Sequence, residues 1–308
     1  MALFYSSWRN NQGIDLGERP DVPPNLVLLV SIVAVSTASI LIRLTDAPPM
    51  AIATWRLVLS TLMLLPFFLS RGGVSRLRAM GRNDLLMLTG VGFVLAVHFA
   101  TWITSLSLTS VASSVIFVHV DPIFVVLVSH FLLRERVSMR VAWGIGVAFV
   151  GASIIAVGDM GLGGGNLRGD ALSLIGAIAL GVYILAGRRL RQRLDLTTYV
   201  TPVYAISAAV LAVGSFAVGA PLVGYAPGVF LMFFAIALVP MIFGHTLYNW
   251  ALKWITAPVV SISLLGEPVG ASILAFLILS ESPGALTIVG GAVTLAGILV
   301  CAYQPASK

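Results

Sequence analysis

The sequence predicts an all-α integral membrane protein: ten transmembrane helices in two inverted five-helix repeats, with both termini on the cytoplasmic side. Three observations predict it. First, 58% of the 308 residues are hydrophobic and only 10% are charged, against about 25% charged in a soluble domain; mean hydropathy is +1.02. Second, the apolar residues fall into tracts of about 20, long enough to carry a helix across ~30 Å of hydrocarbon. Such tracts are too long and continuous for barrel strands, and a spanning helix satisfies its own backbone hydrogen bonds. Third, an acid–proline pair recurs in register. Asp121-Pro122 and Glu267-Pro268 lie 146 residues apart, and the same shift superimposes Glu135 on Glu281, Gly144 on Gly290 and Gly151 on Gly297.

Residues 1–24 form a polar tail with Pro20, Pro23 and Pro24 and no apolar core, so no cleaved signal peptide is expected. The first span covers 25–42. The second, 50–70, carries Arg56 near its start. The third, 84–107, sets His98, Trp102 and Ser105 at i, i+4 and i+7 on one helical face. The fourth, 110–133, holds His119, Asp121-Pro122 and His130. The fifth, 139–157, puts Gly144 and Gly151 on one face. A glycine-rich stretch, 158–168, joins the repeats; no Lys-Ser/Thr follows it, so a linker is expected rather than a phosphate loop. The sixth (169–187) and seventh (196–218) spans contribute Tyr183 and Tyr204. The eighth, 228–252, clusters His245, Tyr248 and Asn249. The ninth, 257–280, repeats the acid–proline pair at Glu267-Pro268. The tenth, 285–303, carries Gly290, Gly297 and the single cysteine, Cys301, which cannot form an internal disulfide. The domain boundaries are therefore 25–157 and 169–303, with a short cytoplasmic tail at 304–308.

The net charge of +6 is explained by loops, not by nucleic acid. With the N-terminus inside, fifteen of the eighteen Lys and Arg residues fall on the cytoplasmic side, Arg43 and Arg168 fall outside, and Arg56 lies within a span. Five spans per half is an odd number, so the second half enters the membrane inverted. Accordingly Glu135 sits between Arg134 and Arg136, while Glu281 has no basic neighbour. Inverted halves rocking around a midplane site are a design of secondary transporters. The glycine faces are expected to pack closely, either within the bundle or against a second protomer. Helices 5 and 10 would carry any weak homodimer of an otherwise monomeric protein.

The order of proline, glutamate and Gly-x6-Gly (Pro122, Glu135, Gly144, Gly151; then Pro268, Glu281, Gly290, Gly297), with Trp55-Arg56 in the second span, resembles the EamA-type repeat of the drug/metabolite transporter superfamily. The resemblance runs from about residue 25 to 303. It implies ten helices in two inverted halves with the pathway between them, in a bacterial inner membrane. The substrate is the point it defines least, because the family handles many metabolites.

All four histidines fall inside expected spans, where ionisable groups face a bundle interior or a cavity. The 146-residue shift pairs Trp102 with Tyr248 and brings His245 next to the counterpart of His98. Two imidazole-bearing aromatic walls would suit a planar, partly apolar solute with hydrogen-bonding groups. His98, Trp102, His245 and Tyr248 are therefore the expected substrate contacts, with His119, Tyr183 and Tyr204 as further candidates. Asp121, Pro122, Glu267 and Pro268 have two readings. The carboxylates contact substrate or proton, or they bond to backbone or Arg56 where the prolines bend the helices. Arg56 either meets a ligand carboxylate, snorkels to the outer interface or pairs with Asp46. Trp250 and Trp254 beside Lys253 read as interfacial anchors.

No His-Glu-x-x-His, cysteine cluster or Gly-x-Ser-x-Gly is present, so no metal, cofactor or catalytic residue is expected. The expected function is export of amino acids, aromatic and other neutral ones, by alternating access, with the solute and the lipid bilayer as the expected partners. Export of another metabolite or a cationic drug is the rival reading. An intramembrane enzyme using Ser153 or Ser272 is a more distant one.

Overall fold

The computed structural model describes residues 20, 22–125, 139–160, 164–255 and 257–302. His130, Arg134, Glu135 and Arg136 lie outside these residues. All regular structure among the described residues is helical. In chain order the helices are α1 (Pro24–Arg43), α2 (Pro49–Ser70), α3 (Arg82–Ser105), α4 (Val111–Val125), α5 (Met139–Met160), α6 (Gly164–Arg191), α7 (Leu196–Ala217), α8 (Pro227–Ala251), α9 (Val259–Leu279) and α10 (Ala285–Ala302). A short helix, Gly73–Ala79, bridges α2 and α3. Seven of them, α1, α2, α3, α6, α7, α8 and α9, are long and apolar enough to cross a membrane. Shorter apolar helices lie within α4, α5 and α10.

Where the described residues include them, the helix ends fall within a few residues of the expected span ends except at the junction of the halves; the end of the fourth span, 126–133, lies outside the described residues. At the junction α5 extends to Met160 and α6 begins at Gly164, so helix enters the stretch 158–168 from both sides. Close packing bears on the glycine that follows this stretch. A Cβ on Gly169 would stand 2.8 Å from the Thr109 side chain, so close approach excludes larger residues there.

Among the described residues α1 is broken at Thr37, and three further helices, α4, α8 and α9, lose regular α-helix beside a proline. Pro122 and Pro268 have no N–H to give the fourth residue back. The chain turns at His119–Val120 in α4 and at Leu264–Leu265 in α9, just ahead of the acid–proline pairs. In α8, Pro240 sits inside a π-helical segment, Ala237–Thr246. Its widened turns offer carbonyls to neighbours: Ser60 Oγ donates to Ala237 O at 3.3 Å and Ser31 Oγ to Gly244 O at 2.9 Å. Such segments concentrate at functional sites.

The glycine rows predicted on α5 and α10 face one another inside the chain. A Cβ on Gly151 would stand 2.4 Å from Thr294 N, and one on Gly297 would stand 2.4 Å from Ala148 N. The backbones thus touch, as small residues permit between membrane helices. What α5 turns outward is Trp143 and Phe149, about 70% exposed. Elsewhere α6 packs on α3, α7 packs on α2 and α3, and α1 lies against the π segment of α8.

The two ends of the bundle are closed differently. At one, Arg76 pairs with Asp195, Arg193 Nη1 stands 3.8 Å from Asp84, and Arg188 Nη1 donates to the carbonyls of Leu252 and Lys253. At the other, Arg43 joins Glu281 at 2.9 Å and donates to Leu106 O, while Glu281 Oε1 accepts from Val111 N–H at 2.6 Å.

Candidate functional site

The broken helices and the π segment surround a small buried cavity. Its lining is Val35 of α1, His98 and Trp102 of α3, Val118 and His119 of α4, Leu180 of α6, His245 and Tyr248 of α8, and Leu264 and Glu267 of α9. Both sequence halves contribute. The four residues expected to recognise substrate, His98, Trp102, His245 and Tyr248, come together here, with His119 and Glu267 beside them. The cavity measures about 20 Å³, room for about one water.

Periodicity accounts for the first wall. His98 and Trp102 are one turn apart, and their rings stack 5.9 Å apart at 12°. His98 Nδ1 is fixed by Gly176 O of α6 at 3.0 Å. The second wall follows from the π turn, after which α8 resumes as α-helix at Leu247–Ala251. That places His245 and Tyr248 in contact, Tyr248 Oη 2.5 Å from His245 Nδ1. The walls meet at tilted ring contacts: the His98 and His245 centroids lie 6.2 Å apart at 46°, and Phe99 stands 5.1 Å from His245 at 51°.

The crossing of α4 and α9 supplies the charged groups. His119 Nε2 stands 3.2 Å from Glu267 Oε2, both buried, and His119 Nδ1 is 2.9 Å from Val115 O. Asp121 accepts a hydrogen bond from Ser261 of α9. Its other oxygen, Oδ1, is buried with no partner among the described residues. Each acid therefore bonds across to the opposite repeat. The acid that His119 contacts is that of the other half, Glu267. Sequence reasoning missed Ser261 and the His119–Glu267 pair because each joins positions remote in sequence.

Tyr183 and Tyr204 stand one layer behind the cavity. Asn249 Nδ2 donates to Tyr183 Oη at 2.7 Å and to His245 O at 2.6 Å. Tyr204 Oη is 3.1 Å from Thr246 Oγ1. Both brace the helical turn that carries His245 and Tyr248, and neither lines the cavity. Ser105 also turns to structure, in a buried hydroxyl cluster with Ser114 and Ser173.

Arg56 departs from its bland readings. It neither snorkels nor pairs with Asp46; it is completely buried. Its guanidinium lies 4.3 Å from the Phe99 ring centroid and 5.9 Å from that of Trp102. Ser153, an imagined nucleophile, is exposed and donates its hydroxyl to Phe149 O in its own helix. Among the described residues no cluster of His, Cys, Asp and Glu could hold a metal ion.

The pattern of the EamA-like transporter family matches this chain twice, at residues 23–157 and 167–303. The chain belongs to the EamA-like transporter family. Proteins similar to it include an uncharacterized transporter of Archaeoglobus fulgidus, 24% identical over 89% of this chain and 94% of the relative. Another is a probable terminal-alkyne amino-acid exporter of Streptantibioticus cattleyicolor, 30% identical over 59% of this chain and 60% of that protein. A solved crystal structure shares the fold, with a TM-score of 0.65 and 21% identity over 90% of this chain and 95% of the other. This is a multi-pass membrane transporter, and the family and relatives are transporters by name rather than enzymes.

Proposed function

We propose that this EamA-family transporter exports amino acids, aromatic and other neutral ones, across a bacterial inner membrane by alternating access. The observation that carries the reading is the convergence of His98, Trp102, His245 and Tyr248 on one buried cavity to which both repeats contribute. Stacked aromatic and imidazole rings offer apolar area and hydrogen bonds together, which suits an aromatic amino acid. The similarity to a probable terminal-alkyne amino-acid exporter supports the same class. So does the narrower resemblance of the sequence to the aromatic amino acid exporter YddG. At about 20 Å³ the cavity is far below the ~300 Å³ or more of a small-molecule pocket. The walls therefore separate to admit solute, and the broken helices α4, α8 and α9 are where that movement is expected.

The excess of Lys and Arg assigned to one side gives N-in, C-in topology, with the Arg76–Asp195 end cytoplasmic and the Arg43–Glu281 end outside. Asp121 and Glu267 are candidates for proton coupling. Counterflow of labelled phenylalanine, threonine and a cationic dye in proteoliposomes tests the substrate class. Phenylalanine is expected to exchange, and no competition by any amino acid would sink the reading in favour of another metabolite or a drug.

A further inference from the structure

We infer that Arg56 is the receptor for a carboxylate on the transported solute. The inference rests on the transporter reading and assigns its site a chemical class. Arg56 is the eighth residue of α2, about 10 Å along the helix at 1.5 Å per residue, and its side chain is fully buried. A guanidinium carries five N–H donors and no acceptor. Here they are almost unused. Nε faces the Met241 thioether at 3.4 Å, a weak acceptor, and Nη2 reaches Pro240 O only at 3.5 Å. Nη1 has no partner among the described residues.

No carboxylate stands within ion-pairing distance of it among the described residues. Glu267, the acid in the cavity wall, is paired with His119. A buried cation in direct contact with no carboxylate among the described residues is costly in a membrane and persists where function uses it. Its location defines that use. Phe99 lies under the guanidinium at 4.3 Å and itself touches His98 and His245, at ring distances of 4.8 and 5.1 Å. Trp102, which lines the cavity, is the second ring beside it. The guanidinium thus stands one ring behind the cavity, in cation–π contact with Phe99. When the walls part for a solute, the two Nη groups become available to a planar anion. A carboxylate fits that fork with two parallel bonds, and one arginine among aromatic rings matches a monoanion with a flat apolar body.

The test is counterflow in proteoliposomes with labelled phenylalanine and with labelled phenylpyruvate. Unlabelled phenylalanine, phenylalaninamide, phenethylamine and phenylpyruvate are the competitors. The free carboxylates are expected to compete, and the amide and amine to fail. R56Q is expected to weaken the carboxylates about ten- to hundredfold, the value of a charged hydrogen bond. Should R56Q not give a monodisperse protein, R56K carries the test. It keeps the charge but loses the fork, and a rise of about tenfold in KM with little change in maximal rate is expected. Equal competition by the amide or the amine, or phenylalanine exchange unchanged in R56Q or R56K, overturns the inference while leaving amino acid export standing. Exchange of phenylpyruvate but not phenylalanine, lost in R56Q, overturns amino acid export and upholds Arg56. Transport of a cationic dye alone overturns both.

Discussion

At the residue scale, the candidate site is a contest between packing and recognition. Trp102 is 3% exposed yet faces the cavity and stacks on His98, so it contributes both. Trp102→Ala is expected to lose aromatic substrates selectively while threonine exchange persists; equal loss of both would assign Trp102 to packing alone. Asp121 is the opposite case. Its Ser261 bond leaves one carboxylate oxygen without a partner among the described residues. Removing that hydroxyl with Ser261→Ala should therefore destabilise by about 1–3 kcal/mol, the cost of an unsatisfied buried polar group. Thermal unfolding of purified protein in detergent measures it. The histidines, the aromatics and their shared faces were legible from spacing alone. The His119–Glu267 and Asp121–Ser261 pairs were not, because no local pattern tells which remote helix crosses at a given turn.

At the element scale, helices here are shaped by their terminators and their neighbours. Asp195 caps α7 by accepting from Thr198 N–H at 3.1 Å, and it also holds Thr197 and Arg76. Partial burial raises its carboxyl, but the hydrogen bonds from Thr198, Thr197 and Arg76 outweigh burial and hold it well below the usual carboxylate range. A lowered folded-state value means that the cap stabilises fully above the ordinary carboxylate range and loses its effect as pH falls below it. Asp195→Ala should remove about 1 kcal/mol, and the difference from the parent protein should shrink in acid; a difference constant with pH would refute the assignment. The glycine rows of α5 and α10 make a second case. With a Cβ only 2.4 Å from Thr294 N, Gly151→Ala must push the helices apart, at about 1–3 kcal/mol, read as a lower unfolding temperature. Spacing identified this glycine face, but not its partner. At 164–168, where the glycines suggested a linker, the chain is already helical, and the Gly169 that follows lies close against Thr109.

At the scale of the whole molecule, each acid of the repeated motif bonds to the other repeat, so the two halves are tied at their breaks. The end bearing Arg43 and Glu281 is tied again: Glu281 holds both Arg43 and the N–H of Val111 at the start of α4. In the proposed cycle this end must release for solute to leave. Glu281→Ala is accordingly expected to raise the reactivity of a single cysteine placed at Ser110 toward an impermeant maleimide, in a Cys301→Ser background. Unchanged labelling would mean that this clamp does not restrain the outer end.

The membrane class is written in the order of residues alone, because a helix must be about 20 apolar residues long to cross hydrocarbon. So is the repeat, because a duplicated motif keeps its register wherever the chain folds. The residues facing a common surface on α3 and α8 followed from helical periodicity. Which of these surfaces meet is set by how the helices cross: His119 with Glu267, Ser261 with Asp121, and the buried Arg56 over Phe99. The physical reason is that a polar group in a membrane interior must find partners, and partners are set by helix crossings rather than by neighbours along the chain.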